Sequence, residues 1–209
     1  MSILQYRRMR ASLMRRLQLS PFALSCVTVC YNVVEGIVSV GFAMLAGSPA
    51  LLGFGVDSFV ECLSGLVMVW RFSPRHPTEA RERTAIRLVG ASLIVLAAYV
   101  AFEAARALFY DEPPERSIAG LIIAAVSLVT MPPLYLLKRR AAEALQSHSL
   151  EADAKQTLGC VMLSLALLVG TGLHYTTGFW QADPAAGLVI ASYLVHEGYK
   201  TWTRQTLCC

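Results

Sequence analysis

Apolar residues recur along this chain in six runs of about twenty, the length that crosses a ~30 Å hydrocarbon layer at ~1.5 Å rise per helical residue. The runs predict helical spans at about 21–46, 50–70, 88–109, 118–137, 150–173 and 184–202. Pro21 suits the first turn of span one. Gly47-Ser-Pro49 is so short a connection that span two must return antiparallel beside span one. Residues 71–87 read as a polar, basic loop, and Tyr110-Asp-Glu-Pro-Pro-Glu115 as an acidic turn broken by prolines. Pro132 and Pro133 are expected to kink the last third of span four, which Lys138-Arg-Arg140 closes; 141–149 reads as a short linker. His174-Tyr-Thr-Thr-Gly-Phe-Trp180 is a turn with interfacial aromatics.

The fold class is therefore an all-α membrane protein with six transmembrane helices. Residues 1–20 form a basic interfacial segment, 21–204 the membrane domain and 205–209 a short tail. The segment before Pro21 does not read as a signal peptide, because the apolar run that follows it is too long. Lys and Arg concentrate in the N-terminus, the second and fourth loops and the C-terminus, so both termini are expected in the cytoplasm. The resulting localisation is a multi-pass protein of the plasma (inner) membrane.

Composition agrees. The chain is 56% hydrophobic and 15% charged, against about 25% charged for soluble domains. The net charge of +4 sits in loops between apolar runs and is no nucleic-acid signal. Of six cysteines, Cys26, Cys30, Cys62 and Cys160 lie inside apolar runs, which argues against a disulfide framework. Cys208 and Cys209 read as an uninformative tail rather than a lipid anchor or metal site. An enzyme is not expected: no Ser/His/Asp set is evident, and His76, His148 and His174 fall in or beside loops. No Gly-rich Lys-Ser/Thr loop for ATP is present.

The informative residues are the polar ones in lipid. Asp57 and Glu61 lie four apart in span two, stacked on one helical face. An acid in the hydrocarbon costs at least ~2.5 kcal/mol by insertion scales, so this pair calls for a cationic partner, metal or proton. Gln156 and Cys160 repeat the spacing in span five, with Asp153 almost one turn earlier. If spans two and five are antiparallel neighbours, Glu61 and Cys160 reach similar depth, and four side chains surround one point. That arrangement suits a divalent first-row metal, although Gln156 and Cys160 are equally compatible with ordinary helix packing. Asp153 is either a ligand on the way in or a partner of Lys155, itself expected to snorkel to the inner surface. Asn32 and Glu35 in span one line a cavity or, for Glu35, carry a proton or bond to a neighbouring span. Glu103, Asp183 and Glu197 read as solvated or helix-start charges near the interfaces.

Three stretches resemble one family. Ser48-Pro-Ala-Leu-Leu-Gly-Phe-Gly-Val-Asp57-Ser-Phe-Val-Glu61 resembles the second span of the cation diffusion facilitators, where Ser-x-Ala-Leu leads to Asp/His-Ser-x-x-Asp. Leu150-Glu-Ala-Asp153-Ala-Lys-Gln156-Thr-Leu-Gly-Cys160 is similar to that family's Ala-Asp-Ala-x-His-x-x-x-Asp, and Asp183-Pro-Ala-Ala-Gly187 with Glu197-Gly198 to its sixth span. The resemblance implies a homodimeric transporter exporting Zn(II) or a similar divalent ion from the cytoplasm against protons, with no permanently bound cofactor. It places the ligands on Asp57, Glu61, Gln156 and Cys160. Gln156 stands for the usual His, Cys160 for the usual Asp and Glu61 for the second acid of span two, a set that also suits softer ions. With no cytoplasmic metal-binding domain after span six and no His-rich loop in its place, the chain in this respect resembles the short, membrane-domain-only members. A non-transporting metal-binding or regulatory partner of another transporter is the alternative.

Overall fold

The structure is a computed structural model that describes residues 20–46, 49–73, 78–110 and 118–203. The basic segment 1–19, the acidic turn 111–117 and the tail with Cys208 and Cys209 lie outside the described residues. Six helices follow in order: α1 (Pro21–Ala46), α2 (Pro49–Phe72), α3 (Glu79–Phe109), α4 (Ile118–Leu145), α5 (His148–Thr177) and α6 (Ala182–Thr203). Among the described residues there is no strand.

Helices α1 to α5 are each long and apolar enough to cross a membrane. Helix α6, with 22 residues, is long enough at ~1.5 Å each, but Asp183, His196, Glu197 and Lys200 dilute its apolar character. It compensates by packing along α3. Gly90 and Gly198 let these two backbones touch: a Cβ on Gly198 would lie 3.2 Å from the Gly90 carbonyl and 2.8 Å from Ile94. Lipid tails are as apolar as leucine, so helices in a bilayer associate by such close packing and by hydrogen bonds rather than by excluding water. Gly55 does the same for α1 and α2, where an added Cβ would meet Val40 at 2.7 Å.

Helices α3, α4 and α5 run furthest beyond the predicted spans, α5 through Thr177 into the expected aromatic turn. Helix α3 starts at Glu79, not near Leu88, because Glu79 and Glu82 stand in its first turn, where acids complement the helix dipole. Helix α4 continues through Pro132 and Pro133 to Leu145, so most of the expected linker is helical. It stops where Gln146 turns left-handed (φ 54°) and the Ser147 N–H reaches back 3.1 Å to the Ala142 carbonyl, a Schellman-type ending. Helix α5 begins immediately afterwards. At the start of α1, Ser20 Oγ accepts from the Ala23 N–H at 3.1 Å, with Pro21 at the first helical position as expected.

Glu82 ties the loop ends together. Its carboxylate accepts from Arg71 Nε at the end of α2, from the Ser149 N–H at 2.9 Å and from Ser149 Oγ at 2.7 Å. Ser147 Oγ also donates to it at 3.1 Å. This is the basic end of the bundle, where α2 hands over to α3 and α4 to α5.

Helices α1–α2, α3–α6 and α4–α5 form the intimate pairs. Helices α1, α2, α4 and α5 turn polar faces inward: Thr28, Asn32, Glu35 and Ser39 from α1; Asp57, Ser58, Glu61 and Ser64 from α2; Ser127 and Lys138 from α4; Asp153, Gln156, Thr157 and Ser164 from α5 are all buried. Apolar side chains such as Val34, Ile37, Met44 and Val129 face outward and are largely exposed, as lipid-facing residues must be. The α3–α6 pair buries an apolar core instead, with Leu93, Leu96, Ile190 and Leu194.

Candidate metal centre

The polar seam has a defined register. Thr157 Oγ1 donates to Glu61 Oε1 at 2.5 Å, and Ser64 Oγ donates to Asp153 Oδ1 at 2.6 Å. Moving one turn along α2 therefore moves one turn back along α5, so the two helices are antiparallel neighbours, the condition on which Glu61 and Cys160 reach similar depth. One turn further from the basic end, the Cys160 thiol lies against both Asp57 and Glu61. It also approaches Ser127 Oγ on α4 at 3.7 Å.

Asp57, Glu61 and Cys160 are buried, at 3%, 0% and 0% exposure. Among the described residues neither Asp57 oxygen meets hydrogen-bond geometry with any partner, Cys160 included, and neither does Glu61 Oε2. A buried carboxylate without partners is strongly disfavoured, so these three oxygens call for a cation or a proton. As the side chains stand, no three His, Cys, Asp or Glu residues among those described close into a metal-holding group.

Gln156 behaves differently. Its carbonyl accepts from Ser92 Oγ on α3 at 2.9 Å, while its Nε2 lacks a partner among the described residues. On α1, Glu35 accepts from the Tyr31 hydroxyl at 2.9 Å and from Ser58 Oγ at 3.0 Å, the second being the bond to a neighbouring span weighed in the sequence. Asn32 is fully buried, and both its amide atoms lack partners among the described residues.

Three expectations are corrected. Asp153 pairs with Lys138, whose Nζ is 2.9 Å from Oδ2, and not with Lys155. Two positions along a helix point to nearly opposite sides, so Lys155 cannot share a face with Asp153. Lys155 meets Glu151, one turn back, at 3.2 Å, and Glu197 on α6 at 2.6 Å. It thus anchors α5 to α6 rather than snorkelling freely, and Glu197 is a buried partner rather than a solvated end. Glu103 lies 3.6 Å from Arg106, both about one-third exposed. The Asp183 side chain lies outside the described residues.

Lys138 is the residue that sequence reasoning missed. In the sequence it opens the basic tripeptide closing span four, yet its side chain is fully buried. Its Nζ donates to Thr157 Oγ1 at 2.8 Å and lies 3.7 Å from Glu61 Oε1. The available signal was helical phase: Lys138 shares a buried face with Met131 and Ala142, whereas Arg139 and Arg140 are exposed.

Comparison with known proteins agrees with this architecture. Residues 25–203 match the cation efflux transmembrane domain. The "Uncharacterized transporter sll1263" of Synechocystis is 24% identical over 170 residues, covering 77% of this chain and 55% of that protein. The "Cation-efflux pump FieF" of Shewanella oneidensis is 25% identical over 165 residues, 75% of this chain and 55% of that protein. "Transmembrane protein 163" of Xenopus laevis is 19% identical over 179 residues, 84% and 64% respectively. The chain therefore spans little more than half the length of the first two relatives. With the family domain matched over most of the chain, from α1 to the end of α6, the chain belongs to the cation efflux family.

Proposed function

We propose that the chain exports a divalent cation, Zn(II) or a similar ion, from the cytoplasm in exchange for protons. In this reading it is a homodimer of the plasma (inner) membrane with both termini cytoplasmic. The observation that carries it is the buried trio of Asp57, Glu61 and Cys160, with three carboxylate oxygens lacking hydrogen-bond partners among the described residues. Two carboxylates and a thiolate are a good ligand set for a borderline-soft divalent ion. Gln156 completes the shell once it lets go of Ser92. Carboxylate and thiol must give up protons to bind metal, so loading releases protons and unloading takes them up. Alternation between the metal-loaded and protonated forms is then antiport. Kinship with a protein named as a cation-efflux pump supports the direction.

The second reading, a membrane module that binds metal or a partner transporter without moving ions, draws on the same trio's failure to close into a metal-holding group. Purified protein in liposomes that enclose a zinc indicator, under an imposed pH gradient, separates the two. Transport predicts saturable Zn(II) entry that Asp57→Ala with Glu61→Ala abolishes. Binding of Zn(II) without entry would leave only the regulatory reading.

A further inference from the structure

The site contains a cation of its own. Lys138 reaches from α4 into the seam, and its ammonium is surrounded by Asp153 Oδ2 at 2.9 Å, Thr157 Oγ1 at 2.8 Å and Glu61 Oε1 at 3.7 Å. Ser64 holds the other Asp153 oxygen at 2.6 Å. The side chain is wholly buried, so the charge cannot snorkel to water. Charges buried in this way persist where they are paired and hydrogen-bonded, and every oxygen nearest Nζ here belongs to the seam.

Position gives the pair its meaning. Along α2 the order is Asp57, Glu61, Ser64 and then Arg71 at the basic end, and Asp153 lies opposite Ser64. The Lys138 ammonium therefore sits between the basic end and the Asp57–Cys160 pair, with Glu61 shared between them. One carboxylate oxygen of Glu61 faces Thr157 and Lys138, and the other lacks a partner among the described residues.

We propose that Lys138 is a tethered cation that competes with the transported ion for Glu61 and Asp153, and that it sets the affinity of the site. An ion arriving from the basic end displaces the ammonium from Asp153 and Glu61, and departure of the ion lets it return. The lysine thus keeps the acids neutralised between cycles and keeps the site weak enough to release its cargo. Thr157, donating to Glu61 and accepting from Lys138, is the relay through which one cation feels the other. This inference rests on the transport reading above and assigns control of affinity to a residue outside the ligand set.

The test is Zn(II) titration of the purified full-length protein by calorimetry, with folding checked by size-exclusion and thermal melting. Competition predicts opposite effects from the two partners. K138M should bind Zn(II) about ten-fold more tightly than the wild type, since a unit charge within 4 Å of a ligand is removed. D153N should bind about ten-fold more weakly, since the freed ammonium leans on Glu61. The charge-neutral K138M/D153N pair should return to wild-type affinity or better, and it carries the test if K138M alone does not fold. K138R, which keeps the charge, should stay near the wild type. A merely structural ion pair would instead weaken binding in both single variants. Wild-type binding that K138M leaves unchanged or lowers, or a folded double variant weaker than the wild type, overturns this proposal alone. A folded wild-type protein that binds no Zn(II) overturns the transport reading and this one with it.

Discussion

Asp57 and Asp153 are both buried aspartates in one polar seam, about two helical turns apart in depth, yet they live in opposite circumstances. Asp153 is charge-paired: Ser64 donates to one oxygen, and the Lys138 ammonium lies 2.9 Å from the other as an ion pair, though without hydrogen-bond geometry. Asp57 has the Cys160 thiol against it but no hydrogen bond among the described residues. The same side chain is an internal counter-charge in one place and an unmet demand for a cation in the other. Burial alone does not distinguish a structural acid from a functional one. A counter-charge built in beside the acid, as Lys138 is beside Asp153, does.

The comparison breaks most visibly in transport. Asp57→Ala with Glu61→Ala should lower Zn(II) flux by ~100-fold or more, since even the outer partners of a metal ligand are worth ~10- to 100-fold. Stability should go the other way. Asp153→Asn leaves the Lys138 charge with Glu61 alone, 3.7 Å away, and should destabilise the fold by somewhat less than the ~3–5 kcal/mol of a fully broken buried pair, whereas Asp57→Asn, which removes a buried charge without a hydrogen-bond partner, should leave the melting temperature unchanged or raise it. Thermal melting of the two variants side by side checks this; equal losses would erase the distinction. At the basic end, Glu82→Gln weakens four donors at once and should cost ~1–3 kcal/mol, read as a lower melting temperature. The smallest effect concerns the ion chosen. Gln156→His with Cys160→Asp should shift preference toward Zn(II) over softer ions in competition binding, and an unchanged profile would remove α5 from selection.

Much of this fold is legible in hydropathy because a bilayer rewards apolar runs directly. The bounds of α1 and the start of α4 follow from it. What hydropathy marks, however, is the thickness of the bilayer and not the length of a helix. The first two turns of α3, with Glu79, Arg81, Glu82 and Arg83, and the last two of α4 lie beyond the apolar runs and read as loop. Their helical state follows from first-turn acids, and from the prolines of α4 being tolerated within the helix.

The candidate site divides in the same way. Asp57 and Glu61 stand out because an acid inside an apolar run is rare, and their spacing fixes their common face. Lys138 does not stand out, because a lysine at the end of a span looks alike whether it points to water or back into the bundle. Lys155 misleads for the converse reason: Glu197, its partner on α6, lies 42 positions away and no local pattern connects them. The hydroxyls of Ser64, Ser92 and Thr157 carry no sequence signal on their own, since Ser and Thr are common at membrane helix interfaces.

The central claim, that Cys160 and the two acids of α2 hold the cargo together, is tested most directly by zinc X-ray absorption on the Zn(II)-loaded protein with Cys208 and Cys209 replaced by serine. The prediction is one sulfur at ~2.3 Å with oxygen or nitrogen ligands at ~2.0–2.2 Å, the sulfur vanishing in Cys160→Ser. A first shell of oxygen and nitrogen alone, or a sulfur that survives Cys160→Ser, would contradict it.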